Sequence, residues 1–377
     1  MKRILFFFII WGVINIMAST LINNAGSSAQ TRSRLSLDSD VKNPVNVTKG
    51  GALEQARIMW DFFFNKPADT RPSGGIPVQA VTKQQLLAAP NNTVYRLGHS
   101  TVLLKLHDAF WITDPMFSDR ASPVQWAGPQ RFHKPPITID EFPPIKAVVI
   151  SHDHYDHLDH DSIMKLAEKV EYFLTPLGVG DILVGWGVAA AKVRQLDWWQ
   201  ETEVGGVRFV ATPARHFSGR GLFDKNKTQW ASWVILAPAQ RVFFSGDSGY
   251  FDGFRQIGEK YGPFDLTLLE TGAYNENWPN VHMHPEESIQ AHLDLKGKRL
   301  LPIHNGTFDL SMHSWREPFD KMAALGTVRG TPVVTPRMGE PVSMHENKSG
   351  LRWWEYPDEF KETGEIRAKS QPAAEQL

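Results

Sequence analysis

Lys146 to Asp159 reads KAVVISHDHYDHLD, and this stretch decides both the fold class and the chemistry. Lys146 to Ile150 carries the continuous apolar run of a buried strand. Its polar cluster begins where the strand ends, which is where α/β folds place ligand sites. His152 and His154 are two residues apart, so extended backbone turns both imidazoles to one side, where they can share an ion. The chain must then turn before a helix expected near Asp161, and Asp156 and His157 can meet a second ion there. Imidazole and carboxylate are ligands that suit zinc, and they also suit iron or manganese. The bland alternative is a polar loop that happens to be rich in histidine. Three imidazoles and two carboxylates within His152–His157 would be costly to crowd together without a cation.

Three later positions repeat the arrangement of a donor at the end of a strand. His216 follows Val207–Thr212, Asp247 follows Val242-Phe243-Phe244 in FFSGDSGY, and His304 closes Leu300-Leu301-Pro302-Ile303. Singly, each would be an ordinary polar residue. With the cluster, they complete two coordination shells.

The same alternation of short apolar runs and polar loops extends through the chain. Strands are expected at 93–97, 101–106, 109–113, 146–151, 207–212, 229–237, 241–245, 265–270 and 299–303, and helices near 161–169, 250–260, 285–294 and 316–325. That order suggests an α/β layered sandwich, with 81–360 as one catalytic domain and 361–377 as a flexible tail. Within 30–80, Leu53, Ala56, Trp60, Phe63 and Phe64 recur at helical spacing before Pro67. Such a stripe ordinarily packs on a core; the sharper reading puts Ile58 and Phe62 against lipid.

With 42% hydrophobic residues in 377, the chain can bury a sizeable core. A net charge of −1 argues against a nucleic-acid binder, which needs a basic excess. Residues 1–29 read as a secretory signal peptide: Lys2 and Arg3, an apolar run from Ile4 to Met17, then small residues at Ser27-Ser28-Ala29. An uncleaved N-terminal anchor is the alternative, although the run is short of the ~20 residues of a membrane span. Either way the chain is expected to be exported, to the periplasm or to a membrane surface. The absence of cysteine excludes both a disulfide framework and a lipidated cysteine.

The pattern His152-x-His154-x-Asp156-His157, followed by His216, Asp247 and His304, is similar to the metallo-β-lactamase superfamily of binuclear hydrolases. From about Tyr95 to about Gly339 the chain resembles the N-acylphosphatidylethanolamine-hydrolysing phospholipase D branch. The segments that carry the likeness are RLGHSTVLL, TDPMFSDRASPVQWAGPQRF, PPIKAVVISHDHYDHLD, LDWWQE, SGDSGYF, IGEKYGPFDL, GAYNENW, HPEES and IHNGTF. The resemblance implies a four-layer αββα sandwich with the metals at one edge of the two sheets. It gives the first ion to His152, His154 and His216, the second to Asp156, His157 and His304, and makes Asp247 the bridge. Two zinc ions ~3.5–4 Å apart would then activate a shared water as nucleophile. His282 resembles an active-site histidine of the branch that contacts substrate or protonates the leaving group. Asp114 in TDP can orient a ligand histidine, its plain alternative being a turn residue before Pro115. His99 in LGHST can line the site.

The sequence departs from the branch at Asn305, where tryptophan is usual, and at Asp153, where an amide is common. Asn305 would replace a flat apolar wall beside His304, which bears on the substrate and not on the metals. Trp126, Trp198, Trp199 and Trp278 can shape an apolar channel or belong to the core. The leading expectation is a phosphodiesterase acting on a phospholipid, with peripheral membrane contact. A lactonase or other hydrolase of a small ester-like substrate keeps the same metals. A non-catalytic envelope protein with structural zinc is the third reading, but a closed structural site uses four ligands and leaves none open.

Overall fold

In the computed structural model, residues 51–221, 223–345 and 352–356 are described. Successive residues of a strand point to opposite faces, and in this protein each face meets a different apolar layer. The first sheet contains β1 (Thr93–Gly98), β2 (Thr101–Leu106), β3 (Ala109–Thr113), β4 (Ile145–Val149), β5 (Val170–Pro176), β6 (Val193–Leu196) and β13 (Pro341–Ser343). Its order is β13-β1-β2-β3-β4-β5-β6. The second contains β7 (Glu201–Val204), β8 (Val207–Thr212), β9 (Ser232–Ala237), β10 (Gln240–Phe244), β11 (Leu266–Glu270) and β12 (Leu300–Ile303), in the order β12-β11-β10-β9-β8-β7.

Between the sheets, Val102, Leu104, Trp111, Ala147 and Val149 of the first meet Phe209, Ala211, Trp233, Phe244, Leu268 and Leu301 of the second. Their strand neighbours face outward. Leu103, Ile112 and Val148 pack with α2 (Lys83–Ala88), α3 (His160–Leu166) and α4 (Val179–Trp186). Val210, Phe243, Leu269 and Leu300 pack with α5 (Gly253–Tyr261), α6 (Pro285–Asp294) and α7 (Glu317–Arg329). Three apolar layers between four layers of structure make the αββα sandwich. Each fully buried large side chain contributes ~1.5–3 kcal/mol of transfer free energy.

Parallel pairing brings the strand ends to one edge. β3, β4, β5 and β6 run parallel, as do β10, β11 and β12. The loops after β4, β10 and β12 therefore emerge together, and the loop after β8 joins them. Two glycines permit the close approach. A Cβ on Gly246, at φ +56°, would lie 2.4 Å from Ser151 Cβ, and one on Gly272 would lie 2.0 Å from the His304 carbonyl oxygen.

The expected strands and helices are present with shifted ends; the helix expected at 161–169 stops at Leu166 because β5 begins at Val170. β5, β6, β7, β13, α2 and α4 are additions. β6, β7 and β13 are short, lie at or beside sheet edges and expose polar residues, which hides their alternation.

The helix expected near residue 53 is α1 (Ala52–Phe64). The reading of its stripe is corrected: Leu53, Trp60 and Phe64 are exposed, at 87%, 59% and 46%, whereas Ile58 and Met59 are buried. Trp60 and Phe64 lie on the outer face, and Ile58, suggested as lipid-facing, is in the core. The signal-peptide segment 1–29, residues 30–50 and the tail 361–377 lie outside the described residues. Among the described residues no helix is long and apolar enough to cross a membrane.

Candidate metal centre

The donors named from sequence converge at the strand-end edge in two groups. His152 Nε2 lies 2.8 Å from His154 Nδ1, which lies 3.3 Å from His216 Nε2. With Asp247, these present ligand atoms within 4.8 Å of one another. Asp156, His157 and His304 form the second group, and His99 lies within the same 4.8 Å limit. Asp247 Oδ2 stands between them, 3.7 Å from the Nε2 atoms of both His152 and His216, 3.1 Å from His157 Nε2 and 3.0 Å from His304 Nε2.

The imidazoles are held from behind. His157 Nδ1 donates to Asp114 Oδ2 at 2.6 Å. His152 Nδ1 donates to Ser151 Oγ at 2.8 Å, and Ser151 in turn donates to the Asp114 carboxylate. His216 Nδ1 donates to the Val281 carbonyl at 3.0 Å. Each bond places the proton on the rear nitrogen and leaves Nε2 bare toward the centre, as ligation requires. Asp114 therefore serves two histidines. Several residues of the centre have positive φ without being glycine: His99 +50°, Asp114 +32°, Ala273 +57° and His304 +63°. Such strained backbone concentrates at functional sites.

The donor set fits cations. Buried and without a hydrogen-bond partner among the described residues are Asp247 Oδ1, His157 Nε2 and His304 Nε2. Burial pushes His152 and His216 well below the ordinary imidazole range, which keeps them neutral. Burial also lowers His304, but Asp247 and Asp156 outweigh it and hold the ring at about 10. The carboxylates thus demand positive charge here, from a proton or a metal ion. His99 is pushed down to about 3, chiefly by burial.

One functional group escaped sequence reasoning. Glu270, the last residue of β11, is fully buried and its Oε2 accepts from His282 Nδ1 at 2.7 Å. Oε1 accepts from the backbone of Ser248 at 2.9 Å and of Met283 at 3.1 Å. His282 is thereby fixed with Nε2 forward, its ring 5.3 Å from His216 and 5.0 Å from His304. Glu270 ends the apolar run LTLLE, and an acid there reads as the solvated end of a strand.

Asn305, expected beside His304 as a supporting or substrate-side residue, lines the cleft next to His304, while its Oδ1 accepts from the fully buried Arg96 and its Nδ2 donates to the carbonyls of Thr271 and Ile303. The amide locks the strained turn behind His304. Asp153 is likewise structural, accepting from Gly219 N and Thr228 Oγ1, each at 2.8 Å. Of the tryptophans, Trp198 is core and Trp126 is exposed; Trp278 lies 6.4 Å from Phe62 of α1. His304 shares one cleft with Phe308, Leu310 and Trp315.

The Beta-lactamase superfamily domain model matches residues 111–305, which span β3 to the His304 turn. The chain belongs to the metallo-β-lactamase superfamily. This metallo-hydrolase is 33% identical to N-acyl-phosphatidylethanolamine-hydrolyzing phospholipase D 1 of Caenorhabditis elegans, over 73% of this chain and 83% of that protein. It is 43% identical to an uncharacterized protein of Mycobacterium tuberculosis, over 79% of this chain and 80% of the other. Among solved structures, the fold is shared with an isothiocyanate hydrolase from Delia radicum gut bacteria at TM-score 0.54 and 17% identity, covering 66% of this chain and 98% of that one. A metallo hydrolase from Ignicoccus hospitalis matches at TM-score 0.51 and 21% identity, covering 66% and 97%.

Proposed function

We propose that this metallo-hydrolase is a two-zinc phosphodiesterase of phospholipase D type. It would cleave N-acylphosphatidylethanolamine-like lipids to phosphatidic acid and an N-acylethanolamine. The observation that carries the two-cation part of the reading is the sharing of Asp247 Oδ2 by two donor sets, a donor arrangement that suits a pair of cations. Bound there, such cations supply Lewis acidity that acidifies water and neutralises charge developing on phosphoryl oxygens.

The chain's own groups divide the remaining work. Asp114 and Ser151 fix the ligand histidines, and Glu270 fixes His282 with its forward nitrogen facing the substrate side. At 14% side-chain exposure, His282 is more open than His157, His216 or His304, which are at most 1% exposed, and that suits a group that touches substrate. Held there, His282 Nε2 is the group placed to hydrogen-bond or protonate the leaving oxygen.

The lipid reading draws support from α1. Lys66, two residues beyond the helix, reaches Asp309 Oδ1 at 2.7 Å, and Asp309 lines the cleft beside His304. On the helix before Lys66, Leu53, Trp60 and Phe64 form an exposed apolar face, suited to peripheral contact with a membrane. The N-terminal sequence pattern fits an exported, periplasmic or membrane-associated protein. The C. elegans relative, whose name carries this activity, supports the choice of bond.

The test is turnover of an N-acylphosphatidylethanolamine in mixed micelles by zinc-loaded protein, with metal analysis alongside. Release of the N-acylethanolamine with about two metals per chain is expected. Turnover no higher than that of His152→Ala would defeat the proposal, and activity confined to lactones would favour the small-substrate reading.

A further inference from the structure

His99 enters the centre on the turn between β1, which ends at Gly98, and β2, which begins at Thr101, just past a register shift between Arg96 and Gly98. The turn is fastened to the opposite sheet: His99 N–H donates to Thr307 Oγ1 at 2.6 Å, and its carbonyl accepts from His304 N at 3.1 Å. The ring is buried, 4.0 Å from the His304 ring and edge-on to Phe308 at 5.3 Å. From there Nε2 lies 2.9 Å from Asp156 Oδ2.

Asp156 needs such a partner. Its side chain is 16% exposed, against 0% for His157 and 1% for His304, so packing holds it least of the second donor group. Asp114, Ser151 and the Val281 carbonyl stand behind His157, His152 and His216. For the Asp156 carboxylate, the hydrogen-bond partner from outside the ligand set among the described residues is His99.

The proton's position follows from the surroundings. His99 Nδ1 has no partner among the described residues, so a proton there would be a buried N–H without an acceptor. On Nε2 the proton meets a carboxylate. We propose that His99 is the positioning residue of the second metal subsite, its Nε2–H holding the Asp156 carboxylate in the orientation that closes, with His157 and His304, on a cation. The inference rests on the two-cation reading above and assigns to His99 the task that Asp114 performs for His157.

Cobalt(II) binding tests it without requiring turnover. Wild type, His99→Ala, His99→Asn and His99→Gln are titrated against a competing chelator, with stoichiometry and the visible ligand-field bands recorded. The wild type should take up two ions. The alanine and asparagine variants should keep the first at unchanged affinity and hold the second roughly 10–100-fold more weakly. Glutamine, whose amide N–H can reach the carboxylate, should recover most of that loss. Asparagine is too short to do so, and it carries the test if alanine does not fold. Wild-type affinity for both ions in the asparagine variant would overturn the proposal. So would a loss that glutamine does not repair, accompanied by altered bands of the filled second subsite, since His99 would then be a ligand itself. A wild type that takes up only one ion would defeat the two-cation reading and this inference with it, and that outcome is separable because it appears before any substitution.

Discussion

Asp114 Oδ2 and His157 Nδ1 lie 2.6 Å apart with both side chains fully buried, so one carboxylate determines which nitrogen of a ligand histidine faces the centre. The same carboxylate accepts from Ser151 Oγ, and Ser151 accepts from His152. Asp114→Asn keeps the size but can turn an NH2 toward His157. Metal affinity should fall roughly 10–100-fold. Chelator competition reads this out, and unchanged affinity would show that His157 is held by packing alone.

Glu270→Gln should leave metal content unchanged and lower kcat by on the order of 10²-fold, the scale of a misplaced acid–base group. Because Glu270 acts through His282, the pair should be non-additive, with Glu270→Gln/His282→Ala no slower than His282→Ala. Multiplying losses in that double-mutant cycle would separate the two residues.

Trp60→Ser with Phe64→Ser tests the outer face of α1. A large apolar side chain that leaves water contributes ~1.5–3 kcal/mol, so activity on vesicles should fall at least about tenfold. Activity on a short-chain soluble phosphodiester, and the melting temperature, should stay where they were. Equal losses on both substrates would remove the membrane role.

Acid stability should report His292, which is buried beside Thr267 Oγ1 at 2.8 Å and pushed by burial down to about 4 from its ordinary 6.5. Above 6.5 the ring is neutral in both folded and unfolded chains, so its contribution is complete. As the pH falls from 6.5 toward 4, the unfolded chain takes up a proton that the folded one refuses, and stability is lost. The slope is at most ~1.4 kcal/mol per pH unit for this one group. Denaturant unfolding of His292→Asn should show a flatter decline across that window; an unchanged slope would assign the decline to other groups.

Much of this was legible before any coordinates. The cluster from His152 to His157 is contiguous, so its chemistry needs no tertiary information, and the continuous apolar runs around Leu103, Val148 and Phe243 mark strands covered on both faces. The resemblance grouped His216, Asp247 and His304 with the cluster, and the folded chain places them at one edge because β10, β11 and β12 run parallel.

The sequence by itself determined the layered class and the donor types, since both follow from periodicities and residue chemistry that act within a few positions. Only the tertiary structure decided which way a side chain faces when either choice satisfies the local pattern. The α1 stripe looks like a core stripe, yet its helix docks through Ile58 and Met59. Asn305 stands next to His304 in sequence, yet only the fold shows that Arg96, 209 positions away, holds its amide. Glu270 looks solvated until His282 and two backbone N–H groups from other loops surround it. In each case the deciding partner lies far along the chain, and no local period encodes its position.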